Sequence, residues 1–230
     1  GADAVEFWRW SGKALEPVEA ALAETGLGVA AILAEPALSL LDPDNHAAYL
    51  EGLRASVEIA RRLGAPVLLA QAGFERPGQD RAAGRAALVD CLGRAAGVLE
   101  GSGIRLAVEP LNTRVDHAGY FLSSTAEALD IVDEVGRAEI RLAYDLYHSM
   151  VMGEEPQVVL AGRVDRVAHL HVADHPGRGE PGSGLLPVRD ALEWLLASGY
   201  RDRLGFEFRP TTDSAGAVAR ARHELGLPAI

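Results

Sequence analysis

The chain has a single cysteine, Cys91, in 230 residues, so no internal disulfide can form. Stability must therefore come from a buried core, and a cytoplasmic location is expected. Positive charge is also scarce: 22 basic against 33 acidic residues leave a formal charge of −11, which repels phosphate backbones, so no nucleic-acid partner is expected. No apolar run approaches the roughly 20 residues needed to span a bilayer, and no charged-then-apolar leader opens the chain, so no membrane association is expected either. Neither a low-complexity tract nor a charge block marks a linker, and residues 1–230 read as one domain. What the chain does have is apolar residues, at 48% against 24% charged, enough for one large core.

Those apolar residues fall into short β-branched runs, each followed by a longer Ala/Leu/Glu/Arg-rich segment, the alternation expected of strand-helix units around a parallel sheet. Seven strands are predicted: Ala4–Trp8, Val29–Leu33, Pro66–Gln71, Arg105–Leu111, Ile140–His148, Val167–Asp174 and Leu204–Pro210, all parallel and buried. Gly26, Gly64, Gly101, Gly136, Gly162, Gly199 and Gly226 each follow a helical run, where a left-handed residue closes the helix. Ser124 and Glu127 have capping-box spacing ahead of Ala128, Leu129, Ile131 and Val132. Gly1 stands just before the first strand as though a helix had ended there. The expected fold is a (β/α)8 TIM barrel whose first β/α unit is missing from the chain. The Gly/Pro-rich stretch Pro176–Pro187 follows a strand and reads as a long loop on the strand C-terminal face.

In such a barrel the chemistry sits where the strand C-termini converge. Glu109, Asp145, His171 and Glu207 each end an apolar strand, at intervals of 36, 26 and 36 residues, and are expected to point inward at one height. Two residues below them lie Ala107, Ala143, His169 and Gly205, three of them small, which leaves space under the cluster. Three carboxylates in a low-dielectric mouth repel one another and need a compensating positive charge. One imidazole with three carboxylates suits Mn²⁺ first and Mg²⁺ next, with Co²⁺ also possible, better than zinc or copper. The alternative is that each acid pairs with a nearby arginine. His169, deeper on its strand, reads as a core histidine or as support for a ligand. Candidate substrate contacts are His148, where the fifth strand gives way to its loop, and Arg178, in the Gly/Pro-rich loop, whose fork suits a carboxylate or a row of hydroxyls. Glu6 and Gln71 are also expected to face the mouth, with Trp8 and Trp10 walling it.

The segments Val-Glu-Pro-Leu-Asn-Thr-Arg-Val-Asp-His at 108–117, Tyr-Asp-Leu-Tyr-His at 144–148 and His-Leu-His-Val-Ala-Asp-His-Pro-Gly-Arg at 169–178 resemble the xylose isomerase-like TIM barrels, and among them the hydroxypyruvate isomerase branch. The likeness runs from Gly1-Ala-Asp-Ala-Val-Glu-Phe, similar to that branch's second strand, to Gly205-Phe-Glu-Phe-Arg-Pro, similar to its eighth. It implies a metal held by Glu109, Asp145, His171 and Glu207, with Glu109 and Glu207 also moving the substrate proton. That branch carries glutamine where this chain has His171, while the related ketose 3-epimerases carry histidine there. The Pro-Gly-Arg-x-Glu-Pro-Gly loop favours the first branch.

The function implied is a metal-dependent aldose-ketose isomerase acting on a small hydroxy-carbonyl compound, hydroxypyruvate or a sugar, through an enediolate. A ketose 3-epimerase or inosose-type isomerase is the near alternative, and a non-catalytic sugar-binding barrel the more distant one. An apurinic-site endonuclease shares the barrel but needs histidines at the ends of Val29–Leu33 and Pro66–Gln71, where this chain has none. The only partner expected besides the small-molecule substrate is a second copy of the chain, as a homodimer or tetramer.

Overall fold

A computed structural model describes residues 2–227. Gly1 lies outside the described residues, and with it the reading of Gly1 as a helix end. Strands and helices alternate: β1 (Ala4–Phe7), α1 (Leu15–Thr25), β2 (Gly28–Leu33), α2 (Pro43–Leu63), β3 (Val67–Ala70), α3 (Arg81–Leu99), β4 (Arg105–Val108) and α4 (Thr125–Val135). The second half continues with β5 (Ile140–Asp145), α5 (Leu146–Val151), α6 (Pro156–Val159), β6 (Val167–Val172), α7 (Val188–Ala197), β7 (Leu204–Phe206) and α8 (Ser214–Glu224). All seven strands are parallel and pair in chain order, forming a nearly closed TIM-type barrel; among the described residues β7 and β1 share no ladder.

The sequence explains the boundaries. Asp42 caps α2 by accepting the Asp44 N–H, Pro43 supplies the first helical position, and Gly64 closes the helix at φ 68°, a conformation that costs a residue with a Cβ. Ser124 Oγ accepts the Glu127 N–H at 3.3 Å, half of the expected capping box. The other half is missing because Glu127 turns to Arg81, 2.6 Å away.

Two corrections concern the strands. The central ones are buried, but β1 and β7 are only partly so, because they flank the unpaired seam. The strand expected over Ile140–His148 stops at Asp145, whose side chain caps α5, so His148 stands on a helix and not at a strand end.

Alternation along the strands divides the apolar residues in two. Ile32, Leu68, Leu106 and Leu142 join the helices in the outer core, while Ala31, Leu33, Val67, Leu69, Ala107 and Ala143 fill the barrel interior. The small interior side chains under the mouth leave the strand ends free to bring polar groups together.

Candidate active site

Glu109 and Glu207 lie one residue past β4 and β7, Asp145 ends β5, and His171 is the next-to-last residue of β6. One ligand atom from each falls within 4.8 Å of the others. The expectation of a common height holds for these atoms but not for the ladder. Asp145 pairs with His171, yet His171 pairs with Gly205, two residues short of Glu207. The tilt of the strands and the longer glutamate side chains close that gap.

His171 is the centre of the group. Its Nδ1 lies 3.0 Å from Glu109 Oε1 and 3.6 Å from Glu207 Oε2, and its Nε2 lies 3.4 Å from Glu6 Oε2. The same Glu6 oxygen lies 2.7 Å from His169 Nε2. His169 is therefore buried against a carboxylate, in the supporting position. Burial opposes a charge on His171, but its hydrogen bonds to Glu109 and Glu6 outweigh this and hold its pKa well above the ordinary imidazole range. Burial likewise opposes ionisation of Glu6, and the two histidines outweigh it, holding that carboxyl well below the usual range.

The other acids show the opposite balance. Burial, followed by repulsion from Glu109, pushes Glu207 up to about 8 even though Arg178 Nη2 is 2.7 Å away. Asp145 is raised by burial against the pull of His171 and Arg178. Its Oδ1 accepts the N–H groups of Tyr147 and His148, while Oδ2 has no hydrogen-bond partner, like Glu109 Oε2 beside it in the cluster. Two orphaned carboxylate oxygens facing one imidazole in a buried mouth fit a divalent cation: they are acceptors with nothing to accept. Arg178 Nη2 pairs with Glu207 at 2.7 Å and stands 3.8 Å from Asp145 Oδ2, so the arginine-pairing alternative applies chiefly to Glu207.

Arg178 reaches the cluster from the 176–187 loop with its backbone at φ 55°, and its guanidinium lies 5.3 Å from the Tyr147 ring centre. His148, buried on α5, accepts the Asn112 N–H at Nδ1; its Nε2 lies 3.5 Å from Asp145 Oδ2. Burial pushes its pKa down to about 4. Glu6, Trp8, His171, Arg178 and Glu207 line a cavity of about 330 Å³.

Two expected wall residues are elsewhere. Gln71 lines a neighbouring groove beside Ser39 and Phe74. Trp10 donates Nε1–H to Ser56 Oγ on α2, since Glu35 holds the Trp10 and Ser11 backbone and turns the ring away. Sequence reading missed Phe206 and Phe208, the apolar cavity walls on either side of Glu207, because alternation along β7 assigns them to the face opposite Glu207. It also missed Asp174 and Glu180. Buried Asp174 accepts the N–H groups of Gly182, Gly184 and Leu186, and buried Glu180 binds Thr211, so the Arg178 loop is held from within. Only the fold brings those partners together.

A parallel barrel with carboxylates and an imidazole converging beyond its strand C-termini defines a TIM-barrel enzyme with its chemistry at the mouth. The chain belongs to the xylose isomerase-like TIM-barrel family, whose model matches residues 1–225, and it is an isomerase. It is 35% identical to a putative hydroxypyruvate isomerase of Mus musculus, over 78% of this chain and 67% of that protein. It is 33% identical to hydroxypyruvate isomerase of Escherichia coli, over 76% of this chain and 67% of that one. Among solved structures, a family 2 AP endonuclease from Brucella melitensis superposes with a TM-score of 0.86 at 24% identity, covering 95% of this chain and 86% of that one, a likeness of fold.

Proposed function

We propose that the protein is a divalent-metal-dependent isomerase of a small 2-hydroxy-carbonyl compound, hydroxypyruvate before a free sugar, and that it moves a proton between adjacent carbons. The observation that carries this reading is the pair of orphaned buried oxygens, Glu109 Oε2 and Asp145 Oδ2, in a cluster with His171 and Glu207. Glu109, Asp145, His171 and Glu207 would hold the ion, with Mn²⁺ the best match to the donor set, Mg²⁺ next and Co²⁺ possible. When bound, the ion supplies Lewis acidity that makes the α C–H of a hydroxy-carbonyl compound removable.

The chain's own residues do the rest. Glu109 and Glu207 enter from β4 and β7 on either side of His171, so either carboxylate can take the α-proton, and that same proton, or one exchanged for it from solvent, is returned to the neighbouring carbon. Between those steps the substrate is an enediolate, and its hydroxyl hydrogen moves to the former carbonyl oxygen. His148 Nε2 and Arg178 face that region as contacts for substrate oxygens, and Trp8 gives the outer wall. Return of the proton to the same carbon from the opposite face gives the epimerase outcome instead. The resemblance in sequence to hydroxypyruvate isomerases supports the first outcome and the smaller substrate. A cytoplasmic setting is part of the proposal, supported by the lone Cys91 buried on α3.

The test is incubation with hydroxypyruvate, and separately with a free ketose, in D₂O with Mn²⁺. Deuterium entering hydroxypyruvate together with an aldehyde product is expected; absence of exchange with either compound in Mn²⁺, Mg²⁺ and Co²⁺ overturns the reading.

A further inference from the structure

We propose that Glu6 is a positioning residue that decides which ring nitrogen of His171 faces the acid cluster, and that Gly205 is the opening through which it reaches. The proposal rests on the metal-site reading above. The two nitrogens of His171 look in opposite directions: Nδ1 at Glu109 and Glu207, Nε2 at Glu6. A neutral imidazole carries one hydrogen and one lone pair, and only the lone pair binds a cation. A carboxylate at Nε2 favours the hydrogen on that side, which turns the lone pair at Nδ1 toward Glu109, Asp145 and Glu207. Among the described residues Glu6 is the acceptor at Nε2 that makes that choice. His169 holds Glu6 in turn, its Nε2 2.7 Å from the same oxygen, with the two imidazoles edge to face at 4.7 Å.

Glu6 belongs to β1, on the far side of the seam from His171 on β6, and between them stands β7. Gly205 of β7 is the register partner of His171. A Cβ at position 205 would lie 2.3 Å from Glu6 Oε1 and 2.8 Å from His171 Cδ2. Its φ is not in the left-handed region, so the backbone makes no demand for glycine here; the demand is for space above it. The nearest obstacle to a methyl group is the tip of a glutamate, which can swing away, and the edge of the His171 ring comes next and must give by a few tenths of an ångström. Gly205→Ala is therefore expected to displace Glu6 while leaving β7 in place.

The experiment is Mn²⁺ titration of the intact protein, of Glu6→Gln, of Gly205→Ala and of the double variant, with thermal unfolding of each as a folding check. Long-range ¹H–¹⁵N correlation of the Mg²⁺-loaded proteins then reads the His171 nitrogens. Each single variant is expected to weaken Mn²⁺ binding about 10–100-fold. The double variant should be no weaker than the worse single one, because both changes remove the same contact. In the loaded wild-type protein the hydrogen is expected on Nε2 and protected from solvent exchange by Glu6, and that protection is lost in the variants. Equal Mn²⁺ affinity in all four proteins, additive losses in the double variant, or a hydrogen on Nδ1 in the wild type would overturn the proposal while leaving the metal site standing. Absence of Mn²⁺ binding by the wild type would overturn both.

Discussion

The wall formed by β4, β5 and β6 and the seam between β7 and β1 are two different kinds of structure around one mouth. The wall strands are joined by ladders, with one register shift between Leu142 and Ala143, and they hold Glu109, Asp145 and His171 almost fully buried. Across the seam no ladder is recorded among the described residues; Glu207 and Glu6 are about one-fifth exposed there, and contact is made by side chains over Gly205. Burial makes charged groups costly and geometry fixed, so the wall is suited to holding, while the seam, open to a 330 Å³ cavity, is suited to admitting and releasing.

The largest expected effect is on the wall's own acid. Glu109→Gln should slow exchange of the substrate α-proton with solvent by about 10²–10⁴-fold, read by NMR in D₂O, and an unchanged rate would remove Glu109 from proton transfer. Next in size is packing behind the wall. Leu106, fully buried between β4 and the helices, should cost about 2–5 kcal/mol on change to Ala, measured by denaturant unfolding.

The third effect is a pH dependence. In the metal-free protein Glu207 titrates near 8, chiefly through burial and Glu109, and His171 keeps its proton well above the ordinary range, held by Glu109 and Glu6 against burial. Both must shed protons to bind a cation, so Mn²⁺ affinity should fall as pH drops below about 8, by about tenfold per unit for each proton displaced. A flat profile between pH 6 and 8 would contradict this. The smallest effect is on the seam, where Leu204→Ala should cost roughly half as much as Leu106→Ala, because Leu204 is only partly buried. Equal costs would erase the distinction between the two regions.

Much of this was legible in the sequence because short apolar runs, Leu106-Ala107-Val108, Leu142-Ala143-Tyr144 and Leu204-Gly205-Phe206, each lead directly into an acid. A polar side chain ending such a run has nowhere to go but the mouth, which located Glu109, Asp145, His171 and Glu207. The helix carrying His148 was not legible, since Leu-Tyr-His-Ser has no breaker and its start depends on Asp145 folding back as a cap. Nor was the bond from Glu6 to both histidines, a contact across 163 and 165 residues of chain. The meaning of Gly205 as an opening appears only when β1 is placed beside β7. Trp10 was misplaced for a similar reason: its backbone is held by Glu35, on the next strand exit.

The central claim is that three acids and one imidazole form a single divalent-cation site. Its most direct test is Mn²⁺ titration followed by electron paramagnetic resonance, on the wild-type protein and on Asp145→Asn. One ion bound per chain, with binding lost or greatly weakened in the variant, is the predicted result; no binding by the wild type, or equal binding by both, would contradict it.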